Sequence, residues 1–154
     1  MKTSTALMLV MGSIVALGII GAISNNKNHI EAKLDAEIAP ILVEVLTTMD
    51  ARRYANHLQP AVRADGKQKA EILIASYRAK FGTLKTLGKG TMSDYEIGDW
   101  TFGNRLAIPS GGGPYKERVH FTYKANFEKR TGVIEVSLRR DSSGPWLITS
   151  MSIF

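Results

Sequence analysis

The spacing of hydrophobic and polar residues changes twice along the chain. The first apolar stretch, Thr5–Ile23, has no charged residue over 19 positions. Between Ile30 and Phe81, apolar residues recur three or four positions apart, which predicts helices. From Val119 onward they alternate with polar residues, which predicts half-buried strands. This order predicts an N-terminal transmembrane helix followed by an α+β domain, with about three helices packed on a curved antiparallel β-sheet.

The first apolar stretch has the length of a membrane span. At 1.5 Å per residue its helix would be about 28 Å long, close to the hydrocarbon thickness of a bilayer. The alternative is a cleaved secretory signal, for which Lys2 would form the basic start and Gly21–Ser24 the cleavage region. Signal peptides usually have a shorter apolar region, of about 7–15 residues. The length therefore favours an uncleaved anchor, and secretion after cleavage stays the alternative.

The anchor divides the chain into residues 1–24, a polar junction at residues 25–29 and a domain at residues 30–154. Because only a few residues precede the span, we expect the domain to lie across the membrane, in the periplasm or another extracytoplasmic space. Small residues four positions apart would let a partner helix approach the span closely, although such residues are common in spans. The pairs are Gly12/Ala16 and Gly18/Ala22. The sequence leaves a homo-oligomer open.

Three helices are predicted after the anchor. The first begins near Ile30 and contains Pro40, which predicts a kink or a stop and restart. Asp50 is placed to cap a short second helix, Ala51–Leu58. The third helix is predicted over Gly66–Phe81, where Gly82 would end it.

The second half of the domain predicts strands. Strict alternation marks Val119–Phe127, and a charged turn leads into a second strand, Val133–Arg140. A turn containing Gly144 and Pro145 precedes the last strand, Trp146–Phe154. Two weaker strands, Ser93–Phe102 and Arg105–Ile108, are predicted before them.

Composition removes several classes of function. The chain has no cysteine, which excludes disulfides, zinc–thiolate sites and thiol catalysis. Its formal net charge is +6, but the lysines and arginines are scattered and do not alternate with aromatic residues. This pattern does not favour nucleic-acid binding.

No catalytic or metal motif is found. None of His29, His57 and His120 has a second histidine or a carboxylate at ligand spacing, so we predict no metal and no cofactor. His120 is predicted to point away from the apolar face of its strand. The loop Pro109–Pro114 lacks the following helix that a phosphate site needs. The acid–base candidates are Tyr77, Tyr95, Asp94, Asp99 and Tyr123.

Structural roles are favoured for four of these acid–base candidates. Tyr77 and Tyr123 are expected in the core, with the hydroxyl at the rim of a pocket. Asp94 and Asp99 are expected in turns, where a carboxylate accepts hydrogen bonds from backbone N–H groups. No catalytic residue is therefore assigned.

Three segments of the domain resemble the nuclear-transport-factor-two-like (cystatin-like cone) superfamily, especially small exported bacterial members. LVEVLTTMDARRYANHL is similar to the first two helices, FGTLKTLG to the exit of the third helix, and YKANFEKRTGVIEVSLRRDSSGPWLITSMSIF to the closing strands. The resemblance implies a curved sheet that wraps the helices and leaves a conical pocket. Its lining would comprise Tyr77, Phe81, Phe121, Tyr123 and Trp146.

Three functions follow as hypotheses. The leading one is a membrane-anchored, non-catalytic accessory subunit or assembly factor, whose partners are the lipid bilayer and one or more membrane proteins. The first alternative is a periplasmic module that binds a small molecule or lipid in the cone. The second is a hydrolase or isomerase of the same fold, which would need a titratable group inside the cone.

Overall fold

The computed structural model describes the backbone of residues 3–58, 66–97, 100–103, 108–109, 117–141 and 144–154, and the side chains of residues 26–58, 68–97, 117–141 and 144–154. The described residues form three helices, α1 (Thr3–Thr48), α2 (Ala51–His57) and α3 (Gly66–Phe81). The strands are β1 (Leu84–Leu87), β2 (Thr91–Ile97), β3 (Trp100–Gly103), β4 (Ile108–Pro109), β5 (Glu117–Phe127), β6 (Thr131–Arg140) and β7 (Leu147–Ile153). The prediction of an α+β chain with three helices and an antiparallel sheet is confirmed.

The chain divides into two compact units, Met1–Leu34 and Asp35–Phe154. Among the residues described with side chains, no helix is both long enough and apolar enough to cross a membrane. The predicted span Thr5–Ile23, with Gly12, Ala16, Gly18 and Ala22, lies outside those residues. The fold and the site described below belong to the second unit.

Helix α1 runs through Pro40 and ends at Thr48, so the predicted stop and restart is wrong. Proline removes one backbone hydrogen bond and costs a helix interior about 3 kcal/mol. Ile38 and Leu42 on either side are fully buried, and burial of this apolar face offsets that cost. Packing therefore overrides the local signal of the proline.

Both helix ends predicted from local chemistry are present. The Asp50 side chain accepts a hydrogen bond of 2.7 Å from the backbone N–H of Arg52 and caps α2. Gly82 follows the last residue of α3 and has a φ of 76°. Its backbone N–H donates a hydrogen bond to the carbonyl of Arg78. This left-handed conformation favours glycine because it has no Cβ.

The sheet is built around β5. Its strand order is β4-β3-β2-β5-β6-β7, and β1 pairs with β5 further along. The pairing of β5 with β6 runs without a break from Glu117↔Arg140 to Asn126↔Thr131. Alternation of buried and accessible residues along β5 defines a buried face and an outward face, as the sequence predicted.

Two details of the sheet differ from the prediction. The weak strand predicted over Ser93–Phe102 is two strands, because Ile97 pairs with Trp100 and the chain reverses between them. Strand β1 was not predicted. Of the predicted strand Arg105–Ile108, only Ile108 lies within the described residues.

The core between the helices and the buried face is filled by large side chains. Phe127 packs on Phe81 with their ring centroids 5.3 Å apart, and Phe121 stacks on Tyr123 at 5.6 Å. The fully buried side chains with the largest volumes are Tyr123, Phe81, Phe121, Ile38, Leu42, Leu46, Ile74, Met92, Ile134, Leu138, Ile148 and Val45. These side chains come from α1, α3 and strands β2, β5, β6 and β7, so the described helices and sheet share one core.

Candidate functional site

A group of polar side chains closes one end of the buried face. Glu117 begins β5 and Arg140 ends β6, and the two are directly paired across the strands. Glu117 lies two residues from the buried Val119, and Arg140 lies two residues from the buried Leu138. Since alternate residues of a strand point to the same face, both lie on the buried face. Together with Glu37 of α1, Tyr95 of β2 and Trp146 before β7, they form what we call the polar cluster.

Arg140 is the centre of the polar cluster. Its Nε and Nη2 lie 2.9 Å and 2.7 Å from Oε2 of Glu117, and its Nη1 donates to Oε2 of Glu37 at 2.8 Å. The guanidinium also lies over the ring of Trp146, 4.4 Å from the ring centroid. The side chains of Arg140 and Glu117 are only 17% and 13% exposed. Such charge-assisted hydrogen bonds hold α1, β5 and β6 together at this point.

The remaining members of the polar cluster also donate hydrogen bonds to the two carboxylates. Trp146 donates its indole N–H to Glu37 at 2.8 Å, and Tyr95 donates its hydroxyl to Glu117 at 3.0 Å. Two carboxylates surround one guanidinium, so the cluster carries one net negative charge. Arg140 is therefore engaged and is not available to bind an anion. This arrangement seals the end of the core.

The environment of the cluster shifts the pKa of two groups. Burial alone would lower the pKa of Arg140, but its hydrogen bonds to Glu117 and the charges of Glu117 and Glu37 outweigh burial and raise it. Burial and the charge of Glu117 raise the pKa of Tyr95 to about 12. Both groups therefore keep one protonation state across the physiological range, and neither is suited to act as an acid or base at neutral pH.

The buried tyrosines predict a loss of stability at alkaline pH. Burial raises the pKa of Tyr54 to about 12, as it does for Tyr95, from an unfolded value of 10. The folded state holds these protons more tightly than the unfolded state does. The two protonated hydroxyls therefore contribute fully to the free energy of unfolding below pH 10, and this contribution is lost as the pH rises from 10 to 12. Denaturant unfolding should show a decreasing free energy of unfolding across that window. A constant value between pH 10 and 12 would contradict the burial of these hydroxyls.

A second set of polar residues lies on the outward face of the same three strands. Asp94 of β2 pairs with His120 of β5, which pairs in turn with Ser137 of β6. We call these three residues the outer row. His120 Nδ1 lies 2.8 Å from the hydroxyl of Ser137. The prediction that His120 points away from the apolar face is confirmed. Asp94 was predicted to lie in a turn, but it is an exposed residue of a strand.

The outer row lines a groove of about 400 Å³. The groove is also lined by Ser93, Glu96, Arg118 and Val119. The row contains the residue types of a nucleophilic triad, but no hydrogen bond joins Asp94 to His120 among the described contacts. The groove presents hydrogen-bond donors, hydrogen-bond acceptors and both signs of charge.

The residues predicted to line a conical pocket lie mainly in the core. Phe81, Phe121 and Tyr123 are fully buried, and Trp146 is 4% exposed. Tyr77 is partly buried and donates its hydroxyl to the carbonyl of Met151 at 3.2 Å. None of the five lines the groove of the outer row, or the second groove of the sheet, which is lined by Leu87, Lys124, Val133 and Phe154 among others.

Tyr123 has a hydroxyl that is enclosed in this core. Burial, followed by the nearby carboxylate of Asp35, raises its pKa. Asp35 also accepts a hydrogen bond of 3.3 Å from the backbone N–H of Gly90. A Cβ at Gly90 would lie 2.6 Å from both Asp35 Oδ1 and Tyr123 Cε1, so no larger residue fits there without a shift of its neighbours. The space around Tyr123 is occupied by protein.

Other sequence candidates are placed apart from both sets. His57 of α2 lies 3.2 Å from the carboxylate of Glu44 of α1, a pair that spacing in the sequence did not reveal. Among the described residues, no group of three histidine, aspartate or glutamate side chains could hold a metal ion. Asp99 and residues 110–114 of the Gly-rich loop lie outside the described part of the chain.

The polar cluster was missed by the sequence analysis. The alternation of the strands could have revealed it. In β5 every second residue back from Phe121 is Val119 and then Glu117, and in β6 every second residue after Val136 is Leu138 and then Arg140. Opposite charges at the ends of two buried faces indicate a cross-strand ion pair. Glu37 had no such signal, because its partner is 103 positions away in the chain.

Comparison of the chain with protein-family models, with curated proteins and with solved structures gives no match.

Proposed function

We propose that this chain is a membrane-tethered, non-catalytic accessory subunit or assembly factor, which binds a membrane protein through the outward face of its sheet. Thr5–Ile23 is the tether in this proposal, because 19 uncharged, mainly apolar residues match a bilayer in length. The domain behind it is proposed to belong to the nuclear-transport-factor-two-like architecture. The order of helices before an antiparallel sheet supports that assignment.

The filled core is the observation that carries the proposal. A small-molecule site of this fold would lie between the helices and the buried face, and that space holds Phe81, Phe121 and Tyr123, each with no exposed surface. The polar cluster then closes one end of it. Recognition is therefore assigned to the outside of the domain.

The outer row is the part of the outside best suited to a protein partner. Its groove presents carboxylates from Asp94 and Glu96, the guanidinium of Arg118 and the imidazole of His120 within one concave surface. Both signs of charge on rigid strands favour specific pairing with a complementary surface. The β5–β6 ladder that carries His120 and Ser137 is continuous, so little ordering of these two strands is needed on binding.

Site-specific photo-crosslinking tests this surface. A photoreactive residue at position 120, on the outward face, should give a discrete adduct with a membrane protein in intact membranes. The same residue at position 72, where Ile72 is 64% exposed on α3, serves as the control and should give no discrete adduct. Equal labelling from both positions, or none from position 120, would refute the proposed contact.

A further inference from the structure

A cluster of cations lies where α3 ends and β5 turns into β6. It contains Arg78, Lys80, Lys85, Lys129 and Arg130, which we call the basic end. Arg78 and Lys80 lie in the last turn of α3, and Lys129 and Arg130 lie between the two strands. Lys85 follows on β1. Elements that are distant in the sequence therefore bring five positive charges to one end of the domain.

Packing around one aromatic ring holds the basic end together. Lys80 Nζ and Arg130 Cζ lie 5.1 Å and 5.2 Å from the centroid of Phe81. Lys129 donates to the carbonyl of Ala79 at 2.7 Å, which satisfies a free carbonyl at the end of α3. Some of these cations therefore stabilise the helix end, but all five remain exposed.

The carboxylate of Glu128 lies beside the basic end. Glu128 accepts a hydrogen bond of 2.9 Å from the backbone N–H of Thr83. That bond, followed by the charges of Lys85 and Lys129, lowers the pKa of Glu128, so it is ionised at neutral pH. The five cations of the basic end outnumber this carboxylate.

Apolar side chains are exposed beside these charges. Phe154 is 59% exposed and Val133 is 36% exposed, and their backbones are joined by two hydrogen bonds of 3.0 Å and 3.3 Å. A Cβ on Gly132 would lie 2.9 Å from the carbonyl of Phe154 and 3.1 Å from the Phe81 ring, which places Phe154 next to the basic end. Val133 and Phe154 also line a groove of about 620 Å³ with Leu87 and Lys124.

We propose that the basic end docks on the surface of an anionic phospholipid bilayer. Lysine and arginine side chains pair with headgroup phosphates, and an exposed aromatic ring beside them enters the boundary between headgroups and acyl chains. An acidic protein would match the charges, but it would not require an exposed Phe154 at their margin. The docking adds a lipid contact to the proposed function and requires no protein partner.

The test uses the full chain in nanodiscs. Because the natural sequence has no cysteine, Thr131→Cys provides a single site for a fluorescent label beside Gly132 and the basic end. Quenching by a nitroxide on the lipid acyl chain should be about threefold stronger in phosphatidylglycerol-containing nanodiscs than in phosphatidylcholine alone. High salt should remove the difference, because it screens exposed charges.

Matched variants separate docking from general charge. Lys80→Gln with Lys85→Gln should reduce the difference in quenching between the two lipids, and so should Phe154→Ser. Arg52→Gln with Lys69→Gln also removes two positive charges, but from exposed positions outside the basic end. It should leave the difference in quenching between the two lipids unchanged. A label at Ile72→Cys should not distinguish the lipids. Equal quenching in both lipids, or shielding that appears only when an acidic protein is added, would overturn the proposal.

The two proposals fail separately. Lipid docking is measured with purified chain and lipid alone, whereas the crosslink from position 120 requires a protein partner. A negative result in the quenching experiment would leave the proposed protein contact standing, and a missing crosslink would leave lipid docking standing.

Discussion

Replacing Phe121 by alanine is expected to lower the free energy of unfolding by about 3–5 kcal/mol. Phe121 is fully buried in the middle of β5 and stacks on Tyr123 at a centroid distance of 5.6 Å. Its removal would leave a cavity among side chains that already fill the core, so the surrounding residues could close it only in part. Urea unfolding of the detergent-solubilised chain measures the loss.

Ile72→Ala is the matched control, because Ile72 is 64% exposed and its truncation should change stability by less than about 0.5 kcal/mol. A loss below about 1 kcal/mol for Phe121→Ala would mean that its ring lines an open pocket and not a packed core.

Replacing Arg140 by methionine is expected to destabilise the domain by about 3 kcal/mol. The change leaves Glu117 and Glu37 facing each other without the cation that binds both, and Glu117 is only 13% exposed. We take the lower end of the usual range because Glu37 is 34% exposed and water screens it in part. Denaturant unfolding at neutral pH measures the effect.

Two variants test the cause of that loss. Arg139→Gln, one position earlier and on the opposite face of β6, should cost less than about 1 kcal/mol. Combining Arg140→Met with Glu37→Gln and Glu117→Gln should recover much of the stability, because no uncompensated charge remains. If the triple variant were as unstable as Arg140→Met, loss of packing would explain the effect and the charge argument would be wrong.

Local chemistry predicted the helices well. The α3 boundaries agree with the prediction because Gly82 supplies a left-handed end, and α2 begins where Asp50 can accept from Arg52. The stop and restart predicted at Pro40 was wrong, because Ile38 and Leu42 are buried against the rest of the domain and a local rule does not include such packing. Strand β5 was predicted because its alternation continues over eleven residues.

Short elements were predicted poorly for a physical reason. Strand β1 has four residues, two of them polar, and its register shifts between Leu84 and Thr86. A bulge of this kind breaks the alternation on which the prediction depends. The predicted strand Ser93–Phe102 is two antiparallel strands, because Ile97 pairs with Trp100.

The candidate sites depended on strand pairing, which the sequence does not give. Asp94, His120 and Ser137 become neighbours only through the register of β2, β5 and β6. The five cations of the basic end come from three separate segments and are scattered in the sequence. The apolar stretch Thr5–Ile23, by contrast, is continuous, so its prediction as an anchor required no tertiary structure.

Copurification of the intact chain tests the central claim most directly, namely that the protein works by binding a membrane protein with its outward surface. Membranes solubilised in a mild detergent should yield the chain in a complex of defined stoichiometry. The charge reversal Arg118→Glu, at the groove of the outer row, should release the partner. The free energy of unfolding of the purified variant should equal that of the unaltered chain. Recovery of the chain alone from several mild detergents, or a partner retained by Arg118→Glu, would contradict the account.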